Sequence, residues 1–282
     1  MKIIECPRDA MQGLPNFIPT KEKANYINRL LKVGFDTIDF GSFVSPKAIP
    51  QMRDTAEVLS ALDLGTTKSN LLAIIANTRG AEDACKFNEI SYLGFPLSLS
   101  ESFQQRNTNR SIAEALETVK QIQMLCIKHN KTLVVYLSMG FGNPYNEHYS
   151  PETVHEFVNT LNAIAIKVIS LADTIGASNP ELITKLFKKL IPSFKEIEFG
   201  AHFHSVPNTA KEKMEAAYNA GCRRIDTAMG GMGGCPMAKD DLTGNIATET
   251  LINFLESRHL LPQNFDFQAY KEASEFKLRL FG

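Results

Sequence analysis

The sequence predicts an α/β fold: a (β/α)8 TIM barrel with an added C-terminal helix, in a single domain over residues 1–282. Three observations predict it. Short apolar runs alternate with helical patterns through the chain, the order that builds a parallel sheet. The runs read as strands buried on both faces, as parallel strands are. Polar residues collect at the ends of those runs, on the face where a closed barrel keeps its chemistry. A length of 282 residues with 44% hydrophobic content suits one such barrel.

Ile3-Ile4-Glu5 forms the first strand, and Pro7-Arg8-Asp9 reads as a polar turn after it. Thr20 caps the next helix, whose apolar stripe is Tyr26, Leu30, Leu31 and Val33, and Gly34 ends it. Phe35 to Phe40 is the second strand, followed by the loop from Gly41 to Lys47 and a helix from Arg53 to Leu62. Leu71 to Ile75 is the third strand, with a short helix from Arg79 to Phe87. Glu89 to Pro96 is the fourth, and a polar loop through Asn107 and Asn109 leads to a helix from Ser111 to His129. Leu133 to Ser138 is the fifth, with Pro151 beginning its helix. Val168 to Asp173 is the sixth, and Asn179-Pro180 opens the helix after it. Glu198 to His204 is the seventh, with a helix from Thr209 to Ala220 ended by Gly221. Arg223 to Ala228 is the eighth; the glycine-rich run Gly230 to Gly234 leads to Cys235, and the eighth helix covers Ile246 to Leu255. Phe267 to Leu280 is the added terminal helix.

Composition excludes several classes. Net charge is −1 and no long basic run occurs, so nucleic acid is not the expected partner. No apolar run approaches the ~20 residues of a membrane span. The five cysteines are scattered and form no CxxC pair, which fits neither a disulfide framework nor a cysteine zinc site. Reduced thiols, no signal-peptide pattern and a cytoplasmic location are expected.

The chemistry centres on Gly200-Ala201-His202-Phe203-His204. Side chains alternate along a strand, so His202 and His204 point to one side, where two imidazoles can ligate a divalent metal. The other strand ends add Arg8, Asp9, Asp39, Ser138 and Asp173, then Cys235 and Asn245. Asp9, His202, His204 and Asn245 make a mixed oxygen–nitrogen set that suits Mg²⁺ or Mn²⁺, with Zn²⁺ or Co²⁺ as alternatives. Asp9 also reads as a turn aspartate, and Asn245 as a helix cap. Arg8 can pair with a carboxylate or stabilise an enolate oxygen, and in isolation also reads as a surface ion pair. Asp39 and Asp173 are candidate acid/base or orienting carboxylates, Asp173 equally a turn residue. Cys235 follows a glycine loop and can exchange a proton on closure, or be incidental. The glycine run lacks the GxxxxGK[ST] ending of a P-loop.

Taken together and in order, Pro7-Arg8-Asp9, Ser42 to Lys47, Pro50-Gln51-Met52, Asn107-Thr108-Asn109, Asp173 to Gly176, His202-Phe203-His204, Gly233 to Pro236 and Gly244 to Glu249 resemble the 3-hydroxy-3-methylglutaryl-CoA lyase family of metal-dependent barrel carbon–carbon lyases. The resemblance runs over nearly the whole chain. It implies Asp9, His202, His204 and Asn245 as metal ligands and Arg8 as the substrate-polarising arginine. It also implies Cys235 in proton transfer, with His202 a second candidate for that step, and Asp173 as a carboxylate near the substrate. The implied reaction is cleavage of hydroxymethylglutaryl-CoA to acetyl-CoA and acetoacetate with Mg²⁺ or Mn²⁺. The implied partner is an acyl-CoA, and the expected assembly a homo-oligomer. The chain departs from the family pattern at Cys6 and Ala10, where glycine is usual, at Asp39 for glutamate, at Ser205 for aspartate and at Asn143 for cysteine. A related lyase or condensing enzyme on another acyl-CoA or oxo acid is the alternative, and a non-catalytic barrel that binds metal or acyl-CoA is the third. Lys47 and Arg106 are candidate charge partners for the CoA moiety.

Overall fold

Strand β1 (Lys2–Glu5) is gripped from both ends of the chain: it pairs in parallel with β2 (Thr37–Ser42) and with β8 (Arg224–Thr227), from Lys2 opposite Arg224 to Glu5 opposite Thr227. Between them run β3 (Asn70–Ile74), β4 (Ile90–Ser98), β5 (Thr132–Ser138), β6 (Val168–Asp173) and β7 (Glu198–Ser205), each parallel to its neighbour. The β8–β1 pairing closes the sheet into an eight-stranded parallel barrel. A two-residue strand, β9 (Gly244–Asn245), runs antiparallel on the end of β7, with Asn245 opposite His204. The computed structural model describes residues 1–234 and 243–281.

Around the barrel lie α1 (Pro7–Gln12), α2 (Thr20–Leu30), α3 (Thr55–Ser60), α4 (Thr78–Cys85), α5 (Glu101–Thr108), α6 (Ile112–Lys128), α7 (Pro151–Ala163), α8 (Pro180–Ser193), α9 (Pro207–Asn219), α10 (Thr248–Ser257) and the terminal α11 (Phe267–Phe281). Several start on side-chain caps: Asn77, Ser100, Ser150 and Asn179 each accept an amide of the first turn, and Ser111 forms a capping box with Glu114. Gly34, after α2, has φ of +93° and lies so close to Asn264 that a Cβ would strike its carbonyl.

Strand alternation sorts the core into two layers. Ile3, Ile38, Phe40, Phe95, Ile169, Phe203 and Ile225 face the helices. Leu72, Val134, Tyr136 and Val168 fill part of the barrel interior. The terminal helix is docked on α2, where Tyr26 stacks on Phe276 and meets Phe281 edge-on.

Four local expectations are corrected. Pro7-Arg8-Asp9 is the first turn of α1 and not an open turn, because Pro7 sits at the helix start, where its fixed φ is pre-set. The segment through Asn107 is helical: Ser100 caps α5, and Asn109 ends it in the left-handed conformation (φ 54°). Thr20 lies inside α2 with Pro19 at the cap, and its hydroxyl donates to Asp54 instead (2.8 Å). Helix α10 begins at Thr248 after Ala247, so Asn245 is a strand residue and not its cap.

Candidate metal centre and active site

The C-terminal mouth of the barrel opens into a cavity of about 330 Å³ lined by Arg8, Asp9, Tyr136, Ser138, His202 and His204 among others. Helix α1 leaves β1 at once, so Arg8 and Asp9 enter the mouth on a rigid turn. Strand β7 supplies both imidazoles from one face, their ring centroids 5.2 Å apart. Donor atoms of Asp9, His202 and His204 lie within 4.8 Å of one another.

Each ring has one nitrogen committed. His204 Nδ1 lies 3.0 Å from the Thr174 carbonyl, and a carbonyl can only accept, so Nδ1 carries the proton. Its Nε2 is then a bare lone pair, buried without a hydrogen-bond partner among the described residues. Burial and the neighbouring His202 hold His204 below the ordinary imidazole range. A neutral imidazole with a free lone pair is what a divalent ion requires. His202 Nδ1 faces Asp226 Oδ2 at 3.1 Å, which leaves its Nε2 for the other side. Burial opposes charge on His202, but Asp226 outweighs it and raises its pKa. The donor set therefore fits a divalent metal.

Asp9 is held on three sides. Its Oδ1 accepts from Arg8 Nη1 (3.0 Å) and Gln12 Nε2 (2.6 Å), and its Oδ2 accepts from Asn245 Nδ2 (2.6 Å). Burial would push its carboxyl up, but Arg8 and the two imidazoles hold it below the usual carboxylate range. Asn245 also donates to the Met232 carbonyl (2.8 Å), so it meets Asp9 through its amino group. Its carbonyl oxygen, the atom a metal would take, requires a turn of the amide. Gly233 (φ +90°) packs over this pair: an added Cβ would lie 2.7 Å from the Asp9 carbonyl oxygen and 2.8 Å from Asn245 Nδ2. Only glycine fits there.

Arg8 is clamped by Asp39, with Nε at 3.0 Å and Nη2 at 2.5 Å from Oδ2. Burial disfavours the guanidinium charge, but Asp39 and Asp9 outweigh it. Burial pushes the Asp39 carboxyl up to about 6 against the pull of Arg8. Asp39 is thus an orienting partner of Arg8 and lies behind the cavity wall.

The family follows from comparison with known proteins. The family model described as HMGL-like matches residues 2–276. The chain belongs to the HMGL-like family. Hydroxymethylglutaryl-CoA lyase YngG of Bacillus subtilis is 36% identical over 254 residues, covering 89% of this chain and 83% of that one. (R)-citramalyl-CoA lyase of Chloroflexus aurantiacus is 29% identical over 280 residues, covering 96% and 87%. A solved HMG-CoA lyase from Acinetobacter baumannii, in complex with coenzyme A and 3-methylmalate, superposes with a TM-score of 0.90 at 32% identity, covering 100% of this chain and 91% of that one. This HMGL-like chain is accordingly an enzyme of the carbon–carbon lyase class.

One expected site residue stands apart, and another lies outside the described residues. Asp173 alternates with Ala172 and Thr174, which line the cavity, and so points the other way, into the layer between β6 and α9. There its Oδ2 accepts from Lys213 Nζ (3.0 Å), Ser178 Oγ (2.5 Å) and the Ser178 amide (3.1 Å). Cys235 lies outside the described residues. Sequence reasoning missed Asp226 and Gln12. The signal for Asp226 was its alternation with Ile225 on the eighth strand, which turns it inward toward His202. Arg106 donates to the Tyr145 hydroxyl (2.7 Å), and Lys47 is exposed. Among the described residues no helix is long and apolar enough to cross a membrane.

Proposed function

We propose that this chain is a single catalytic barrel that cleaves 3-hydroxy-3-methylglutaryl-CoA to acetyl-CoA and acetoacetate, with Mg²⁺ or Mn²⁺ held by Asp9, His202, His204 and Asn245. The observation that carries it is the convergence of Asp9, His202 and His204 within 4.8 Å, beside Arg8, in an HMGL-like chain. The bare Nε2 of His204 supports the metal.

A bound divalent ion supplies Lewis acidity that makes a tertiary hydroxyl easier to deprotonate. The chain's own residues do the rest. Loss of the hydroxyl proton sends that electron pair into a new ketone, the carbon–carbon bond breaks, and its electrons pass to the thioester as an enolate. Arg8, fixed by Asp39, holds the developing oxyanion; a donor of this kind contributes roughly 10²–10³ in rate. The enolate carbon then takes a proton, for which Cys235 is the candidate; His202, with Nδ1 on Asp226 and Nε2 in the ligand set, has no N–H left for that step. Gln12 keeps Asp9 in place for its ligand role. Asp173 serves at one remove, since the Lys213 it holds also donates to the His204 carbonyl (3.3 Å). The buried free thiols of Cys6, Cys85, Cys126 and Cys222 support a reducing, cytoplasmic setting.

The match to (R)-citramalyl-CoA lyase over 96% of the chain favours one second reading, the same bond cleavage on citramalyl-CoA. A coupled assay of the purified protein with each thioester, with Mn²⁺ and then with a chelator, decides between them. Chelator-sensitive acetoacetate release, strongly reduced in Cys235→Ala, is the expected result. Pyruvate release from citramalyl-CoA alone would move the assignment to the second substrate.

A further inference from the structure

One layer below the candidate metal centre, the barrel interior holds an arginine that the proposed reaction does not use. Arg224 of β8 is fully buried, and its Nε, Nη1 and Nη2 have no hydrogen-bonding partner among the described residues. It shares a row with Gly200 of β7 and Ser170 of β6. Ser170 Oγ is likewise buried and unpartnered, and so is Asp226 Oδ1, two residues further along β8 on the same inward face. Five orphaned polar atoms therefore lie on the inward face of these neighbouring strands. The row is shaped around the arginine: a Cβ at Gly200 would lie 3.1 Å from Arg224 Cδ and 3.1 Å from Ser170 Oγ.

A buried guanidinium costs several kcal/mol unless its charge is answered. The Tyr92 ring, 5.4 Å away, supplies only about 0.5–2 kcal/mol of cation–π attraction. Glu198, on the neighbouring strand, is engaged by Lys2 at 2.9 Å. That leaves Asp226, the anion that acts most strongly on Arg224. Its Oδ2 is given to His202, and its Oδ1 has no donor among the described residues. Buried polar atoms of this kind are satisfied by ordered water with two to four partners.

We infer that Arg224 is a positioning residue of the candidate metal centre: acting through ordered water on Asp226, it fixes the carboxylate that orients His202. The inference rests on the metal reading of His202 given above. Arg224 neutralises Asp226 and pins its free oxygen. Asp226 then stays in plane with the imidazole, and His202 presents Nε2 toward Asp9. Partners that hold a metal-ligating histidine in this way typically govern about 10–100-fold in metal affinity.

The test is calorimetric titration of the full chain with Mn²⁺ in the absence of substrate, for wild type, Arg224→Met, Arg224→Lys, Asp226→Asn and the Arg224→Met/Asp226→Asn double variant, each with a thermal melt. Arg224→Met is expected to bind about tenfold more weakly. Arg224→Lys should recover most of that loss. The double variant should bind no more weakly than Asp226→Asn, because one residue acts through the other. A folded Arg224→Met with wild-type affinity, or a double variant whose loss is the product of the two single losses, overturns the inference. If Arg224→Met does not fold, Gly200→Ala takes its place, read beside Ser170→Ala: it keeps every charge and presses on the arginine and on the Ser170 hydroxyl, and the second variant separates the two. A severalfold loss supports the inference, and unchanged affinity overturns it. A wild-type chain that binds no Mn²⁺ overturns the metal reading, and this inference with it.

Discussion

Arg8 grips Asp39 through two nitrogens at the barrel mouth: Nη2 and Nε both donate to Asp39 Oδ2, at 2.5 and 3.0 Å, and Nε also reaches Oδ1 at 3.2 Å. The carboxylate comes from β2 and the guanidinium from α1, so the pair fixes the direction of Arg8 from outside its own helix. Asp39→Ala should leave Arg8 present but misdirected and lower kcat by about 10²-fold. Asp39→Glu should retain most of the activity, since one more methylene still reaches the guanidinium. Steady-state kinetics on the thioester substrate measure this. An Asp39→Ala enzyme within threefold of wild type would show that Arg8 needs no such guide.

His204 is expected to matter more for metal than for the fold. His204→Ala removes the buried lone pair that has no other partner. Mn²⁺ affinity should fall by more than the roughly 10–100-fold that losing an outer hydrogen-bond partner costs. Titration calorimetry reads this directly, and a variant that keeps wild-type affinity would remove His204 from the ligand set.

Asp173 makes the opposite prediction. Both members of the Asp173–Lys213 pair are buried, and Asp173→Asn strands a lysine charge. Breaking such a pair costs about 3–5 kcal/mol. At about 2–4 °C per kcal/mol, the melting temperature should drop by roughly 6–20 °C. Substrate KM at a temperature where the variant is folded should stay near wild type. A large KM increase with an unchanged melt would place Asp173 against substrate after all.

Glu5 sets a pH dependence of stability. It is fully buried at the outer end of β1, accepting from Thr248 Oγ1 (2.6 Å) and the Met229 amide (2.9 Å), and burial pushes its carboxyl up to about 8. The folded chain then holds a proton that the unfolded chain, near the ordinary carboxyl value of 4.5, has released. Glu5's contribution is full below that lower value and is lost as pH rises through about 8. Between the two values the slope from this group is about 1.4 kcal/mol per pH unit. Denaturant unfolding at pH 5 to 8 should show the slope in wild type and a flatter curve in Glu5→Gln. Parallel curves would mean that Glu5 is ionised in the folded protein.

Much of the architecture was legible because parallel strands advertise themselves. The run from Leu133 to Ser138 is apolar on both faces, and helices α7 and α8 begin where Pro151 and Asn179 announce them. His202 and His204 were legible for the same reason, strand alternation, and the structure sets them side by side in the mouth. Asp173 shows the limit of that reasoning. Standing at a strand end did not decide its direction; its parity relative to Ala172 did, and Lys213, forty residues away in the chain, took the carboxylate. Helix α1 was missed because a six-residue helix shows too little periodicity to compete with a proline and two charges. Asp226 and Arg224 were missed because an acid and a base on one strand read as solvated ends unless the barrel's closure is imposed first.

The hydrogen bond between Asp9 and Asn245 joins residues 236 positions apart. During synthesis Asp9 leaves the ribosome early, yet its partner emerges only after every barrel strand has been made. No N-terminal fragment can complete the pocket, and closing a loop of that length is entropically costly until the β8–β1 seam draws the ends together. In a nascent or truncated chain the Asp9–Asn245 bond is therefore absent, and the mouth of the barrel is complete only once the ring has shut.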